Sequence, residues 1–185
     1  MSSEQTKRSR RLPPTPSSAT CAYSYVESPL GPLLLAGDAA DLHLISFPKG
    51  KQVRTPDPGW RRDDALFASA AAQLRDYFDG ELERFDLSLR TAGTAFQTAV
   101  WTALRKIPLG QTISYADLAR RVGKPTAVRA VGTANGANPL PIVIPCHRVI
   151  GSNGSLTGFG GGLDAKRFLL DHERALTGTT ILPDP

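Results

Sequence analysis

Three prolines break up the apolar stretch "NPLPIVIPCHRVIG", residues 138–151, before it reaches Cys146 and His147. Proline lacks an amide hydrogen and fixes its own φ, so such a run is excluded from a helix interior and from a central strand. Its Leu, Ile and Val side chains still have to leave water. The chain must therefore thread an ordered, non-helical segment through its interior, and that segment ends on a thiol beside an imidazole and an arginine.

The thiolate, not the thiol, is the reactive form of cysteine, and a neighbouring base or positive charge favours it. Adjacency alone does not place His147 on the sulfur. Successive side chains of a strand point to opposite faces, so contact requires a turn at "PCHR" or an intervening water, and Pro145 supplies a natural break. A base also needs an orienting group, and "DAKRFLLDHERAL" offers Asp171 and Glu173 on a predicted final helix. A buried Cys beside a His also occurs as a satisfied core pair, and the dipeptide does not separate the two readings. Beyond it, "GSNGSLTGFGGGL" is a glycine-rich loop able to bring backbone N–H groups close to a ligand. It lacks the GxxxxGK[ST] spacing of a triphosphate cradle, so no nucleotide triphosphate site is expected.

The 185 residues suffice for one medium domain or two small ones. No apolar run approaches the roughly 20 residues that span a bilayer, and "MSSEQTKRSRRLPPTPSSAT" has no apolar signal-peptide region. A cytoplasmic protein with no membrane partner is expected. Cys21 and Cys146 are too few and too far apart for a disulfide framework or a metal cluster. Both are expected as free thiols, Cys21 as a small apolar residue near the start of a strand.

Charge is segregated along the chain. Residues 1–20 carry four basic and one acidic side chain, residues 21–90 eight and eleven, and residues 91–178 ten and four. An acidic first half joined to a basic second half suits a second half that faces a polyanion, although a basic face can be merely solvated.

Residues 1–20 have little to bury and read as a disordered basic tail. "CAYSYVESPLGPLLLAGDAADLHLISFP" reads as a meander of two or three antiparallel strands, and "RTPDPGWRRDD" as a loop. "DALFASAAAQLRDYFDG" sets Leu66, Phe67, Ala70, Leu74, Tyr77 and Phe78 at helical spacing, with Gly80 as a stop. "ERFDLSLR" alternates like one more strand, and His43 stands alone among apolar neighbours as a structural residue.

The second half opens with Thr94 as the N-cap of a helix that carries Phe96, Val100, Trp101 and Leu104 on one face. "SYADLARRVG" is a second helix, capped by Ser114 and stopped at Gly123, and "TAVRAVGTANGANP" is a third. The last two read as a helix-turn-helix with the third stretch in the recognition position. Its Ala127, Ala130, Gly132, Thr133 and Ala134 offer little to read base edges. Small residues permit close approach to a narrow groove, or simply close helix packing, and the stretch leaves both open.

The segment "GANPLPIVIPCHRVIGSNGSLTGFGGGLDAKRFLLDHE", with "ISYADLARRVGKPTAVRAVG" ahead of it, closely resembles the O6-alkylguanine-DNA alkyltransferases. Those DNA repair proteins take an alkyl group from guanine O6 onto their own cysteine. The resemblance is dense over residues 94–174 and looser over 21–90. It implies an α/β (α+β) fold: an N-terminal RNase H-like α/β domain, residues 21–90, then a C-terminal winged helix-turn-helix domain, residues 94–178, that carries the active site.

Residue by residue, the resemblance implies Cys146 as alkyl acceptor, His147 acting through a water, and Glu173 orienting that histidine. Asn138 ties the recognition helix to the active-site segment. Tyr115 donates to guanine N3 and crowds the backbone of the flipped nucleotide. The base pocket it implies is formed by Asn135, Pro141, Val149 and Leu156 together with Gly158, Phe159 and Gly160 of the loop. On DNA, Arg129 fills the gap left by the extruded base, and Tyr115, Thr126, Ala127, Ala130 and Gly132 meet the minor groove. Phe159 stands where members often carry tyrosine, which keeps the aromatic wall without its hydroxyl, and Asn135 occupies a position that can hold a larger apolar residue. Some members bind zinc in the N-terminal half. Cys21 and His43 are too few for a tetrahedral site, so neither metal nor cofactor is expected.

The implied reaction is an in-line displacement at a saturated carbon, with guanine leaving and a stable thioether left on Cys146, so each molecule reacts once. The implied partner is double-stranded DNA containing O6-alkylguanine, met by a monomer that is nucleoid-associated while it acts. Activity on O4-alkylthymine, alkyl size and cooperativity along DNA stay undecided by the sequence. Two other readings are weighed against this one. A damage sensor without chemistry would have no use for the acceptor cysteine, and a Cys-His-Glu hydrolase would have no use for the helix-turn-helix and basic half.

Overall fold

Strand patterning in the first half follows how many faces each strand buries. In the computed structural model, which describes residues 21–178, β1 (Ala22–Val26) turns Ala22, Ser24 and Val26 inward and Tyr23 and Tyr25 outward. The tail read over residues 1–20 lies outside the described residues. β2 (Leu33–Gly37) is buried at every position because it runs antiparallel between β1 and β3 (Leu42–Ser46), with both faces covered. Leu33 and Leu35 join the main core, while Leu34 and Ala36 join Cys21, Leu44 and Trp60 in a smaller cluster on the other face. α1 (Ala68–Asp79) lies against the sheet and ends at Gly80, whose φ of 82° closes the helix in the left-handed region that glycine adopts without strain.

Three expectations need correction here. The "RTPDPGWRRDD" loop contains β4 (Arg61–Arg62), which adds to β1 in parallel and completes the sheet order β3-β2-β1-β4. Both its side chains are exposed, so no apolar alternation marked it. "ERFDLSLR" makes only an isolated bridge, Leu42 to Leu89, through Leu42 N to Ser88 O at 2.9 Å and Arg90 N to Leu42 O at 3.0 Å. Its alternation reports that Phe85, Leu87 and Leu89 lean on the core, not that a partner strand runs alongside. Leu66 and Phe67, read as helical, precede α1 in a turn.

The second half is helical. α2 (Ala95–Leu104) starts at a reciprocal capping box between Thr94 and Gln97, and α3 (Tyr115–Arg121) at one between Ser114 and Asp117. α4 (Val128–Gly136) follows the turn at Gly123 and packs against both α2 and α3, completing the helix-turn-helix. Trp101 is buried and donates from Nε1 to Ala134 O at 2.9 Å. β5 (Ile113–Ser114) pairs in parallel with β6 (Val149–Ile150), and α5 (Leu163–Thr177) ends the described chain. A continuous core runs from Ala22 to Leu169 and joins the two halves. The small residues of α4 divide by face: Ala134 is buried and Gly132 faces the Tyr115 ring, whereas Val128, Arg129, Ala130 and Thr133 are exposed.

The segment after β3 is strapped over the glycine-rich loop. Lys51 N and Gln52 N both donate to Gly160 O, at 2.9 and 3.2 Å, the Gln52 side-chain amide donates to Gly136 O at the end of α4, and Phe47 meets Phe159 edge-on at 5.4 Å. A Cβ on Gly161 would lie 2.6 Å from the Phe47 ring. Gly161→Ala is therefore expected to destabilise the protein by about 1–3 kcal/mol through overpacking. Thermal unfolding should show a drop of roughly 2–4 °C per kcal/mol. Unchanged melting would mean that loop and strap part freely.

Candidate active site

The proline-broken segment is held at both ends by one buried asparagine. Asn138 Oδ1 accepts from Leu140 N at 3.0 Å and its Nδ2 donates to Ile144 O at 2.7 Å. Between them Ile142, buried, sits at φ 76°, a left-handed conformation that costs a β-branched residue about 1–3 kcal/mol and persists only when its surroundings fix it. The segment then delivers Cys146 to the start of a single 3-10 turn, Cys146–Arg148, with Cys146 N bonded to Ile144 O at 2.8 Å. This turn supplies the break at "PCHR" that the sequence required, and Cys146, His147 and Arg148 are all buried.

Glu173 on α5 organises what surrounds the thiol. It accepts from His147 Nε2 at 2.8 Å, Tyr77 OH at 2.9 Å, Arg148 Nε and Nη2 at 2.8 Å each, and Gly110 N at 3.2 Å. Burial alone would raise its carboxyl, but the hydrogen bonds and charges of His147 and Arg148 hold it well below the usual carboxylate range. Asp171, the other candidate partner, points outward to Arg174 at 3.6 Å. Because an ionised carboxylate only accepts, the proton of His147 resides on Nε2 and Nδ1 is an acceptor, and Nδ1 has no hydrogen-bond partner in the protein. Burial pushes the His147 imidazole below its ordinary value, partly offset by Glu173, which keeps the ring neutral near pH 7.

Burial pushes the Cys146 thiol up to about 11, opposed by a hydrogen bond from Asn138 and by the positive charge of Lys166. Lys166 is fully buried on α5 and donates to Val149 O at 2.6 Å and Thr157 O at 2.8 Å, with its ammonium 5.8 Å from the Tyr115 ring centroid. Desolvation brings it down to about 8. Tyr115 OH donates to Thr157 O at 3.3 Å.

The thiol opens on a cleft of about 490 Å³ continuous with solvent, lined by Asn135, Asn138, Pro141, Gly158, Phe159 and Gly160. Ser46, Phe47, Gln52 and Arg54 of the first half supply another wall. Of the pocket residues read from the sequence, Val149 and Leu156 are not among those lining this cleft; Val149 is fully buried in the core. Arg129, Thr126 and Ala130 are exposed around α4, with Ala127 half-buried and Gly132 under Tyr115.

Sequence reasoning missed Lys166, Arg148, Tyr77 and the wall from the first half. Lys166 had a usable signal, since it stands seven residues before Glu173 and therefore on the same helical face. His43 is not alone: the turn before β3 brings Asp38 Oδ2 to 3.3 Å from it. Asp38, Asp41 and His43 form the one potential cation-binding group among the described residues, and Arg90 ion-pairs with both carboxylates at 3.1 and 2.9 Å, which supplies positive charge there. No helix among the described residues is long and apolar enough to cross a membrane.

Both halves of the chain are similar to known proteins. Residues 95–175 match the 6-O-methylguanine DNA methyltransferase DNA binding domain, and residues 21–91 match the 6-O-methylguanine DNA methyltransferase ribonuclease-like domain. A methylated-DNA--protein-cysteine methyltransferase of Methanosarcina acetivorans is 51% identical over 152 residues, which cover 82% of this chain and 97% of that protein. One from Mycobacterium tuberculosis strain H37Rv is 47% identical over 158 residues, covering 83% and 92%. The crystal structure of Mycobacterium tuberculosis OGT in complex with DNA is similar with a TM-score of 0.78 at 46% identity, covering 84% of this chain and 94% of that one. With both of its halves matched and close relatives covered almost end to end, the chain belongs to the 6-O-methylguanine DNA methyltransferase family.

Proposed function

We propose that this protein repairs DNA by direct reversal, moving an alkyl group from guanine O6 in duplex DNA onto Cys146, once per molecule. The observation that carries the reading is a cleft-lining thiol followed in sequence by an imidazole fixed by Glu173 on one side and left as an unpartnered acceptor on the other. A water between the Cys146 thiol and His147 Nδ1 passes the thiol proton to the imidazole. The sulfur then attacks the alkyl carbon in line; the S–C bond forms, the C–O bond breaks, and its electron pair stays on the guanine. Tyr115 relieves that charge by donating toward N3. Asn138 contributes by holding the segment and the thiol.

The alkylated base reaches the cleft by flipping, at a cost of a few kcal/mol of unstacking that is lower for a damaged pair. The exposed face of α4 suits the minor groove because Ala130 and the Gly132 backbone allow close approach, while Arg129, with Thr126 and Ala127 nearby, replaces the extruded base. The basic second half adds salt-dependent phosphate contacts without sequence preference, and a monomer suffices for the reaction. We place the boundary between the two domains at residues 90–94, where the sheet-bearing half gives way to the Thr94 cap.

The test is intact-protein and peptide mass spectrometry after mixing with a duplex containing one O6-methylguanine. One methyl on Cys146 per protein, absent in Cys146→Ser, is the expected result. Labelling elsewhere, or turnover of many esters per molecule, would overturn the assignment.

A further inference from the structure

We propose that Tyr77 is a positioning residue for methyl transfer: its hydroxyl, reaching from the first half to the carboxylate that holds His147, weakens the pull of that carboxylate on the imidazole and so leaves Nδ1 open to accept the thiol proton. This role rests on the alkyl-transfer reading above and deepens it.

Of the buried residues of α1, which are Ala70, Ala71, Leu74 and Tyr77, Tyr77 alone carries a polar side-chain group, and it is fully buried. Phe78, Phe85 and His172 surround its ring, with centroids at 5.2, 5.5 and 5.3 Å. His172 Nε2 also donates to Tyr77 O at 2.8 Å, because a backbone carbonyl only accepts. Two adjacent residues of α5, His172 and Glu173, are thus bonded to one residue of α1. The phenol is thereby held to one orientation.

The acceptor it meets is already supplied with donors. An ionised carboxylate has about four lone-pair sites on its two oxygens. Glu173 Oε1 accepts from Tyr77 OH at 2.9 Å and from His147 Nε2 and Arg148 Nη2 at 2.8 Å each, while Oε2 takes Arg148 Nε and Gly110 N. Three donors therefore share the oxygen that carries His147, and each hydrogen bond that favours the anion makes it a weaker base toward the others. The carboxylate does not need Tyr77 to be satisfied, and a phenylalanine would fill the space without burying a hydroxyl. Burial pushes the imidazole down and Glu173 opposes that push, so the strength of the Glu173 bond decides when Nδ1 takes up a proton. The other charged or titratable groups around the ring are Cys146 and Arg148 of its own turn and Lys166 of α5; α2, which also packs against the turn, carries none.

The experiment titrates the His147 ring by 15N NMR in the full chain, as wild type, as Tyr77→Phe, and with 3-fluorotyrosine introduced at position 77 alone. Phenylalanine removes the donor and leaves Glu173 its four others, whereas fluorine makes the phenol a stronger donor in the same place. Protonation of His147 is expected at higher pH in Tyr77→Phe and at lower pH in the fluorotyrosine variant. The rate of methyl transfer from a duplex containing O6-methylguanine, scaled to each variant's own maximum, should follow. At the pH where the wild type runs at half its maximum, Tyr77→Phe is expected to be slower by about two- to fivefold, as loss of one hydrogen bond implies. A hydroxyl that only fills the core would move the two variants alike or not at all, and either result overturns the proposal. Should Tyr77→Phe not fold, an unmoved titration with 3-fluorotyrosine overturns it. Failure of the underlying reading is separate, since it would appear as no methyl on wild-type Cys146, whereas the NMR titration needs no DNA.

Discussion

Glu173→Gln is expected to cost about 3–5 kcal/mol of stability, the usual range when one partner of a buried ion pair is removed, and to stop methyl transfer. The carboxylate serves His147, Arg148 and Tyr77 together. Glutamine keeps the shape but leaves the Arg148 guanidinium buried without a counter-charge, with Ile107 O at 2.6 Å as its neutral acceptor. It also frees the imidazole tautomer that exposes Nδ1 as acceptor. The pH dependence carries a sign. A carboxyl held well below its unfolded value of about 4.3 contributes fully above that value, and the contribution is lost as pH falls beneath it. The stability gap between wild type and variant should therefore be constant near neutrality and narrow below about pH 4. Denaturant unfolding at several pH values reads this directly, and a gap that widens in acid would mean that Glu173 is not ionised in the fold.

Asn138→Ala is expected to cost about 1–3 kcal/mol, because it leaves Leu140 N unpaired at a buried position and strips Ile144 O of one of its two donors, Cys146 N remaining. The same change removes the amide that opposes the upward push of burial on the Cys146 thiol, and the clamp on the segment that holds Ile142 in its left-handed conformation. Transfer should slow with the loss of a fixed thiol position. Asn138→Asp distinguishes the two bonds, since a carboxylate still accepts from Leu140 N but cannot donate to Ile144 O. If the alanine variant melts like the wild type and reacts at the same rate, the proline segment holds its path without the clamp.

Elements specified by neighbours along the chain are legible in the amino-acid sequence alone. Thr94 and Ser114 cap their helices because the groups they satisfy lie three residues on, and Gly80 ends α1 because the left-handed turn is a local requirement. The three-strand meander is legible for the same reason. β4 is not, because two exposed arginines become a strand only when β1 lies alongside. The "ERFDLSLR" alternation misleads in the opposite sense, since burial on one face does not require a paired backbone.

At the site, the sequence by itself determined that a thiol and an imidazole would emerge from a buried, proline-broken segment, because proline geometry and the burial of Leu, Ile and Val are properties of the residues themselves. Residue chemistry alone left Asp171 and Glu173 both open, the family resemblance pointed to Glu173, and neither foresaw that Arg148 and Tyr77 would gather on Glu173 while Lys166 is buried on Val149 O. Only the tertiary structure decided that. Interactions between charges in a dry interior depend on the distance between atoms of different segments, and that distance is set by how α5 packs against the Cys146–Arg148 turn.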